Sequence, residues 1–142
     1  MKILVIDDDA SIGMAIRALL RSESCDVVVV ESGGLGVKAL EHSRFDLALI
    51  DIFMPVMDGI ETIRRCRRSA PTMPIVVMSG FRFRYDWRTA PNYLRIACKL
   101  GATRSLRKPF ESTDLFAAIL GCVARHGFEV EPLTNVVSNI VD

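Results

Sequence analysis

The sequence predicts an α/β protein in which helices cover both faces of a doubly wound, five-stranded parallel sheet. Four short runs of apolar, often β-branched residues and a weaker fifth strand-like segment are spread along the 142 residues. The runs are continuous rather than alternating, which is typical of strands buried on both faces. Segments with apolar residues at helical spacing separate them. Strands that alternate with helices in this way form right-handed crossovers and a parallel sheet.

The predicted elements follow one another in strict alternation. Gly101 is expected to stop the fourth helix, and Ser112 to cap the fifth, with Asp114 suited to its first turn. The predicted strands are 3–6, 27–30, 47–50, 75–78 and 103–106, and the predicted helices are 11–21, 34–43, 59–68, 92–100 and a last one from 112 onward.

Composition indicates one globular domain without targeting features. At 15.8 kDa the chain is large enough for a proper core, and because half of its residues are hydrophobic, disorder over most of the chain is disfavoured. No apolar stretch approaches a membrane span, and the first residues do not form a secretory signal. The four cysteines fit no zinc or redox spacing, as expected in a reducing compartment. We therefore expect a cytoplasmic protein.

Charged and hydroxyl side chains come at the carboxyl ends of four predicted strands. Asp7 and Asp8 follow the first strand, Asp51 the third, Ser79 the fourth and Lys108 the fifth. Ligands of open α/β sheets bind in the crevice at this edge. Two like charges ~4 Å apart repel by about 4 kcal/mol at an effective dielectric near 20, and Mg²⁺ bound by carboxylates relieves this repulsion. Each residue alone fits a turn or a cap, but the set predicts a site for a divalent cation and a phosphoryl group.

Four segments resemble the receiver domain of two-component response regulators (CheY-like). They are ILVIDDD, LIDIFMPVMDGIE, IVVMSG and KPF, and DIFMPVMDG is the most specific. Asp8 and Asp51 are 43 positions apart, and Asp51 and Ser79 are 28 apart, as in that family. The resemblance spans roughly residues 2–124 and implies a flavodoxin-like sheet with strand order 2-1-3-4-5. We accordingly expect a receiver domain at 1–125, followed by a tail or linker stub at 126–142.

The resemblance implies a role for each acid of the pocket. Asp51 corresponds to the phospho-acceptor, which takes a phosphoryl group from a sensor histidine kinase or a phosphotransfer protein. Asp8 corresponds to the main Mg²⁺ ligand, Asp7 assists through water, and the backbone carbonyl of Phe53 is a further ligand. Such a protein catalyses only its own phosphorylation and dephosphorylation.

The resemblance also implies how the signal leaves the pocket. Lys108 corresponds to the charge partner of the phosphoryl group, and its bond to Pro109 is expected to be cis. Ser79 corresponds to the switch hydroxyl that moves to the new phosphoryl group. The loop after the fourth strand then shifts and changes the face formed by the fourth helix, fifth strand and fifth helix, where partners or a second copy dock.

The chain departs from the family pattern at three places. Ser105 replaces the usual switch aromatic three residues before the lysine. The segment Phe81–Arg88 makes this region longer than the family norm and alternates aromatic with charged residues. It either caps the domain's own core or docks a partner. One of its aromatic residues is a candidate replacement for the missing switch residue. Phe53 and Phe81 occupy positions that, in the family, flank the path of the hydrolytic water. Two bulky apolar residues there predict a long-lived phosphoryl state.

Two other functions compete with the receiver interpretation. A phosphatase of the haloacid-dehalogenase type also uses aspartate, lysine and Mg²⁺, and Asp7-x-Asp9 mimics its opening motif. That family needs a further pair of acids after the lysine, and no adjacent acids follow Lys108. The second competitor is a receiver-like interaction module that is never phosphorylated, which the loss of the aromatic at Ser105 favours and the retained pocket residues disfavour.

Charge is distributed unevenly along the chain. Twelve basic residues and a single acid, Asp86, lie between Arg64 and Lys108, although the formal net charge is only +1. This asymmetry indicates either a positive surface that faces a partner or a set of solvated helix faces rich in arginine. We expect a protein partner or a separate output domain, no membrane, and no nucleic-acid binding by this domain alone.

Overall fold

The computed structural model describes residues 1–21, 24–80 and 90–126. In this part of the chain five strands alternate with five helices, and a short 3₁₀ turn at Ala124–His126 follows. The strands are β1 (Lys2–Ile6), β2 (Asp26–Val30), β3 (Leu47–Asp51), β4 (Ile75–Ser79) and β5 (Arg104–Arg107). The helices are α1 (Ala10–Leu20), α2 (Gly33–His42), α3 (Gly59–Ser69), α4 (Ala90–Lys99) and α5 (Ser112–Val123).

All five strands run parallel in one sheet with the order β2-β1-β3-β4-β5. This confirms the predicted fold class and strand order. Ile6 is aligned with Ile50 in the register of β1 and β3, so Asp7 and Asp51 come at the same level of neighbouring strands. Ser79 is aligned with Arg107, which places Lys108 next to the end of β4. The carboxyl ends of β1, β3, β4 and β5 therefore meet along one edge.

Two apolar layers hold helices on both faces of the sheet. Alternate residues of each strand face opposite sides. The side chains of β1, β3 and β4 are almost completely buried, whereas the edge strands β2 and β5 are partly exposed. The first layer joins α1 and α5 to the sheet through Ile16, Leu20, Leu115, Phe116 and Ile119 against Ile3, Val5, Leu49 and Val76. The second joins α2, α3 and α4 to it through Val37, Leu40, Ile63, Cys66 and Ala97 against Leu4, Ile6, Ile50 and Val77.

Gly59 allows α3 to begin very close to the end of β3. A Cβ atom at this position would lie 2.3 Å from the backbone oxygen of Asp51, which no side chain tolerates. The N–H of Gly59 also donates to the carbonyl of Ile52 at 2.8 Å. Gly59, the last residue of the DIFMPVMDG motif, thus fixes the position of the segment that carries Asp51.

The structure corrects some predicted boundaries. Ser112 is the first helical residue of α5 rather than its N-cap; Glu111 is the N-cap, and the Asp114 carboxylate accepts from the Glu111 N–H at 3.1 Å. The fifth strand lies one residue later than predicted, at Arg104–Arg107. Gly101 ends α4 as expected, with a φ of 99° in the left-handed region.

In the described part of the chain, no helix has both the length and the apolar character needed to cross a bilayer. The segments 81–89 and 127–142 lie outside the described residues. The Phe81–Arg88 insertion and the tail proposed for 126–142 therefore stay predictions, as does the domain boundary at residue 125.

Candidate phosphoryl-transfer site

A cavity of about 390 Å³ opens at the carboxyl edge of the sheet. It lies where the loops after β1, β3 and β5 meet, as the strand register requires. Its lining combines four acids, one lysine and several apolar or small residues: Asp7, Asp8, Asp9, Ile12, Asp51, Phe53, Gly80, Lys108 and Pro109. The structure thus brings together the three predicted acids, Asp7, Asp8 and Asp51, and the predicted lysine, Lys108.

Asp7 is the most enclosed of the acids. It is completely buried, and its two carboxylate oxygens have different partners. Oδ1 accepts from the backbone N–H of Asp9 at 2.9 Å, and Oδ2 forms a short ion pair with Nζ of Lys108. A buried charge needs such a partner because removal from water is costly. Asp7 and Lys108 therefore form the fixed base of the cavity.

Lys108 links the last strand to both buried acids. Its Nζ also lies 3.5 Å from Oδ2 of Asp51, and its side chain is only 14% exposed. Its backbone N–H donates to the carbonyl of Ser79 at 2.7 Å, which extends the pairing of β4 and β5 by one residue. The Lys108–Pro109 bond is cis, as the family resemblance implies. The ammonium group is thus placed between Asp7 and Asp51.

Asp51 is the acid whose charged form is least favoured. Burial raises the pKa of Asp51 to about 6, against a usual value of 3.8. The charge of Lys108 lowers this pKa, whereas the charge of Asp7 raises it further. The backbone N–H of Phe53, 3.2 Å from Oδ1, also lowers it. The carboxylate therefore gains from any additional positive charge placed beside it.

The acids of the cavity fit a small hard cation. One oxygen from each of Asp7, Asp8 and Asp51 lies within 4.8 Å of the others, and Asp8 is the least buried of the three. Three carboxylate oxygens with access to water are the ligand type that Mg²⁺ prefers. The pocket can therefore hold a metal ion, which agrees with the chemistry predicted from the sequence.

Ser79 and Phe53 were also predicted to belong to the site. Phe53 lines the cavity, and its N–H contacts Asp51. Ser79 ends β4 and is half-buried, but it is not among the lining residues; Gly80, the next residue, is. Ser105, the position of the missing aromatic, is exposed on β5. Phe81 lies outside the described residues.

Asp9 and Ile12 line the cavity, although the sequence analysis did not assign them to the site. Asp9 is the N-cap of α1, where its Oδ1 accepts from the Ser11 N–H at 3.0 Å. Ile12, in the first turn of α1, contributes an apolar wall. An aspartate directly before a segment of helical periodicity is a signal for an N-cap, and that signal places the start of α1 beside the pocket.

A doubly wound sheet with a buried aspartate between acids and a lysine at its carboxyl edge defines the receiver class of signalling domains. The model of the family "Response regulator receiver domain" matches residues 3–120. The chain belongs to this family.

Named relatives and solved structures agree with this assignment. The cell cycle response regulator CtrA of Brucella ovis is 31% identical over 125 residues, which cover 88% of this chain and 51% of that protein. The chain thus spans about half the length of the curated relatives it matches. A response regulator receiver domain protein from Clostridium thermocellum superposes with a TM-score of 0.76 at 29% identity, covering 88% of this chain and 95% of that one.

A further solved structure bears on the metal. The receiver domain of the sensor histidine kinase PA1611 from Pseudomonas aeruginosa has a TM-score of 0.72 and 25% identity, and the match covers 87% of this chain and 97% of that one. That structure is described with a magnesium ion coordinated in its active-site cleft.

Proposed function

We propose that this chain is a phosphorylation-dependent switch in which Asp51 accepts a phosphoryl group. The observation that carries the proposal is the position of the Asp51 carboxylate. It is buried in one cavity with two further acids, and an ammonium group lies 3.5 Å away. A nucleophile, a cationic partner and hard metal ligands are the parts that phosphoryl transfer needs.

The reaction uses the side chains as follows. A carboxylate oxygen of Asp51 attacks phosphorus of a phosphohistidine, the P–N bond breaks, and the imidazole leaves. The product is an acyl phosphate on Asp51, which water later hydrolyses. Lys108 neutralises charge on the phosphoryl oxygens. Because Lys108 also pairs with Asp7, its ammonium is already positioned before the donor binds.

The metal site proposed for Mg²⁺ consists of Asp7, Asp8, Asp51 and the backbone carbonyl of Phe53. The mutual approach of the three carboxylates supports this set. Bound Mg²⁺ would supply positive charge to the acids and to the phosphoryl oxygens. The Phe53 N–H donates to Oδ1 of Asp51 at 3.2 Å and so orients the carboxylate.

The switch itself is proposed to act through Ser79. Its hydroxyl would donate to a phosphoryl oxygen and draw the loop after β4 towards the site. Lys108 is hydrogen-bonded to the Ser79 carbonyl, so β5 and α5 are connected to this movement. A groove of about 420 Å³ between β5 and α5 includes Ser105 and offers a docking place for a second copy or an output domain.

We place the switch in the cytoplasm, with a sensor histidine kinase or a phosphotransfer protein as donor. The four cysteines fit no zinc or redox spacing, which supports a reducing compartment. The output is proposed to be a protein partner or an output domain, since the chain spans about half the length of its relatives. As a self-modifying switch it does not turn over an external substrate.

Incubation with acetyl phosphate and Mg²⁺, followed by intact-mass measurement, tests the proposal. We expect an adduct of one phosphoryl group that disappears in Asp51→Asn and when a chelator removes the metal. Asp58→Asn is the matched control, because Asp58 is an exposed acid of the same loop and Asn also caps helices well. An adduct that persists in Asp51→Asn would overturn the assignment of the acceptor.

The same experiment separates the two competing functions. The absence of any adduct would favour a receiver-like interaction module that is never phosphorylated. Turnover of a small phosphate ester would favour a Mg²⁺-dependent phosphatase.

A further inference from the structure

The adjacent helices α3 and α4 carry an unusual concentration of positive charge. Together they contain six basic residues, Arg64, Arg65, Arg67, Arg68, Arg95 and Lys99, and a single acid, Glu61. Helix α2, which lies on the same face of the sheet, contains one basic residue and one acid, Lys38 and Glu41. The excess of positive charge is therefore a property of α3 and α4 rather than of the helices in general.

Five of the six basic side chains point to solvent, and the sixth joins the two helices. Arg64, Arg65, Arg68, Arg95 and Lys99 are exposed, and we call the surface they form the basic α3–α4 face. Ile63, Cys66 and Ala97 of the two helices pack in one apolar cluster. The guanidinium of Arg67 donates to the carbonyl of Gly101, just after α4, at 2.6 Å. The two helices that carry the exposed cations are thus packed against each other.

Ordinary helix electrostatics explain only part of this pattern. Arg68 and Lys99 lie in the last turns of their helices, where positive charge interacts favourably with the helix dipole. Arg64 and Arg65 both pair with Glu61, which can neutralise only one of them. Arg95 lies in the middle of α4, and no acid is present in that helix.

We propose that the basic α3–α4 face binds an acidic segment of a partner protein. Arginine forks match carboxylates in geometry. Ile96 is 43% exposed between Arg95 and the end of α4, so the face also offers an apolar contact. An acidic segment with interspersed apolar residues satisfies both features. Nucleic acid fits less well, because the whole chain has a formal charge of only +1 and lacks the overall positive field that attracts a polyanion.

The test measures fluorescence anisotropy of a labelled peptide built from repeated Glu-Glu-Leu-Glu units, with the full chain, at physiological ionic strength. A poly-Glu peptide and an oligothymidylate of matched charge are the comparison probes. We expect the Leu-containing peptide to bind more tightly than either. We also expect Ile96→Ser to weaken binding of that peptide while leaving the poly-Glu peptide unchanged.

Charge-reversed variants locate the site. Arg68→Glu with Arg95→Glu is expected to weaken peptide binding by at least about tenfold. The matched control, Arg21→Glu with Lys38→Glu, changes the net charge equally at two exposed positions, the C-cap of α1 and a site on α2. It should have less than about a twofold effect. The neutral pair Arg68→Gln with Arg95→Gln provides the same comparison if the reversed pair folds poorly.

Three outcomes would overturn the proposal: no binding of the peptide, equal loss in the control and in the face variants, or tighter binding of the oligothymidylate. The measurement uses unphosphorylated protein and is independent of the proposed switch. Its failure would therefore leave the role of Asp51 untouched, and a failure of phosphorylation would leave this surface untouched.

Discussion

The Asp51 side chain is under two opposing influences. Burial and the charge of Asp7 favour its neutral form, whereas Lys108 and the N–H of Phe53 favour its charged form. Burial has the largest effect, so the pKa is raised. The folded protein consequently carries a free-energy cost near neutral pH, which a proton or a cation beside Asp51 removes.

The first prediction concerns the pH dependence of stability in buffer with a chelator. The pKa of Asp51 is about 6 in the folded state and 3.8 as an ordinary carboxyl, so the folded state binds this proton more tightly. The wild type therefore gains stability relative to Asp51→Asn as the pH falls through 6. At high pH we expect the variant to be more stable by about 1–2 kcal/mol, after allowance for solvent screening.

Urea denaturation of both proteins across this pH range measures the difference. Asp58→Asn is the control, and its stability relative to wild type should change little over the same range. A stability advantage of Asp51→Asn that grows as the pH falls would contradict the raised pKa.

Val56 gives a second prediction at the scale of one residue. It is fully exposed and has a φ of 68°, a conformation that is costly for a β-branched side chain. Asn tolerates this region better, so Val56→Asn should stabilise the domain by about 1 kcal/mol in thermal or urea unfolding. Met14→Asn, at an exposed helical position, should give no gain. Equal effects of the two substitutions would argue against backbone strain.

Phe53 gives the third prediction, which concerns the lifetime of the phosphoryl group. Phe53 lines the cavity that contains Asp51, and we expect its bulky apolar side chain to restrict the approach of water. In purified phosphorylated protein we expect slow spontaneous loss of the label and a several-fold faster loss in Phe53→Ala. Val56→Ala, an exposed change in the same loop, should leave the rate unchanged. Rapid loss from the wild type would refute the prediction.

Most of the site could be predicted because its residues lie at or just after the carboxyl ends of predicted strands. Asp7, Asp8, Asp51 and Lys108 are found in the cavity for this reason. The sequence could not predict that Asp7, rather than Asp8, is buried against Lys108. Past the end of a strand the side-chain direction depends on the loop conformation, which local pattern does not determine.

At the scale of elements, the boundaries depend on caps that compete with one another. Ser112 is a better N-cap residue type than Glu111, yet α5 begins one residue earlier than the hydroxyl suggests. The Asp114 carboxylate accepts from the Glu111 N–H, so an acid in the first turn fixes the start of the helix. A hydrogen bond within the first turn thus outweighs the N-cap preference of a single residue.

Arg67 connects three elements at the edge of the sheet opposite the cavity. Its guanidinium donates to the carbonyls of Ala70 at 3.2 Å, Met73 at 2.5 Å and Gly101 at 2.6 Å. The end of α3, the entry to β4 and the turn after α4 therefore share one side chain. Burial lowers the pKa of Arg67, but its carbonyl partners accept from the charged form.

The fourth prediction follows from these contacts. Arg67→Met keeps much of the side-chain volume but leaves the carbonyls without their donor, so we expect a loss of about 2–4 kcal/mol in urea denaturation. Arg68→Met, at the next and exposed position, should cost less than about 1 kcal/mol. Similar losses in the two variants would show that helix electrostatics, rather than the shared donor, explain the effect.

At the scale of the whole molecule, continuous apolar runs alternating with helical periodicity were enough to predict the sheet and the helices on both faces. The strand order came from the family resemblance, because alternation alone does not specify which strands are neighbours. Charge asymmetry was visible in the sequence, but only the fold packs α3, which carries Arg64 and Arg68, against α4, which carries Arg95. Surface patches depend on which helices pack side by side, and periodicity does not contain that information.

The last prediction concerns how a cation changes the stability of the whole domain. Because Asp7, Asp8 and Asp51 crowd their carboxylates together, Mg²⁺ should bind the folded state and not the unfolded chain. At a concentration of one hundred times its Kd, this preference raises the free energy of unfolding by about 2.7 kcal/mol. Thermal unfolding should shift upward with Mg²⁺ and saturate, and Na⁺ at equal ionic strength should give a much smaller shift. Asp8→Asn should lose most of the Mg²⁺ effect, whereas Asp58→Asn should keep it. An equal response of these two variants would locate the cation elsewhere than in the cavity.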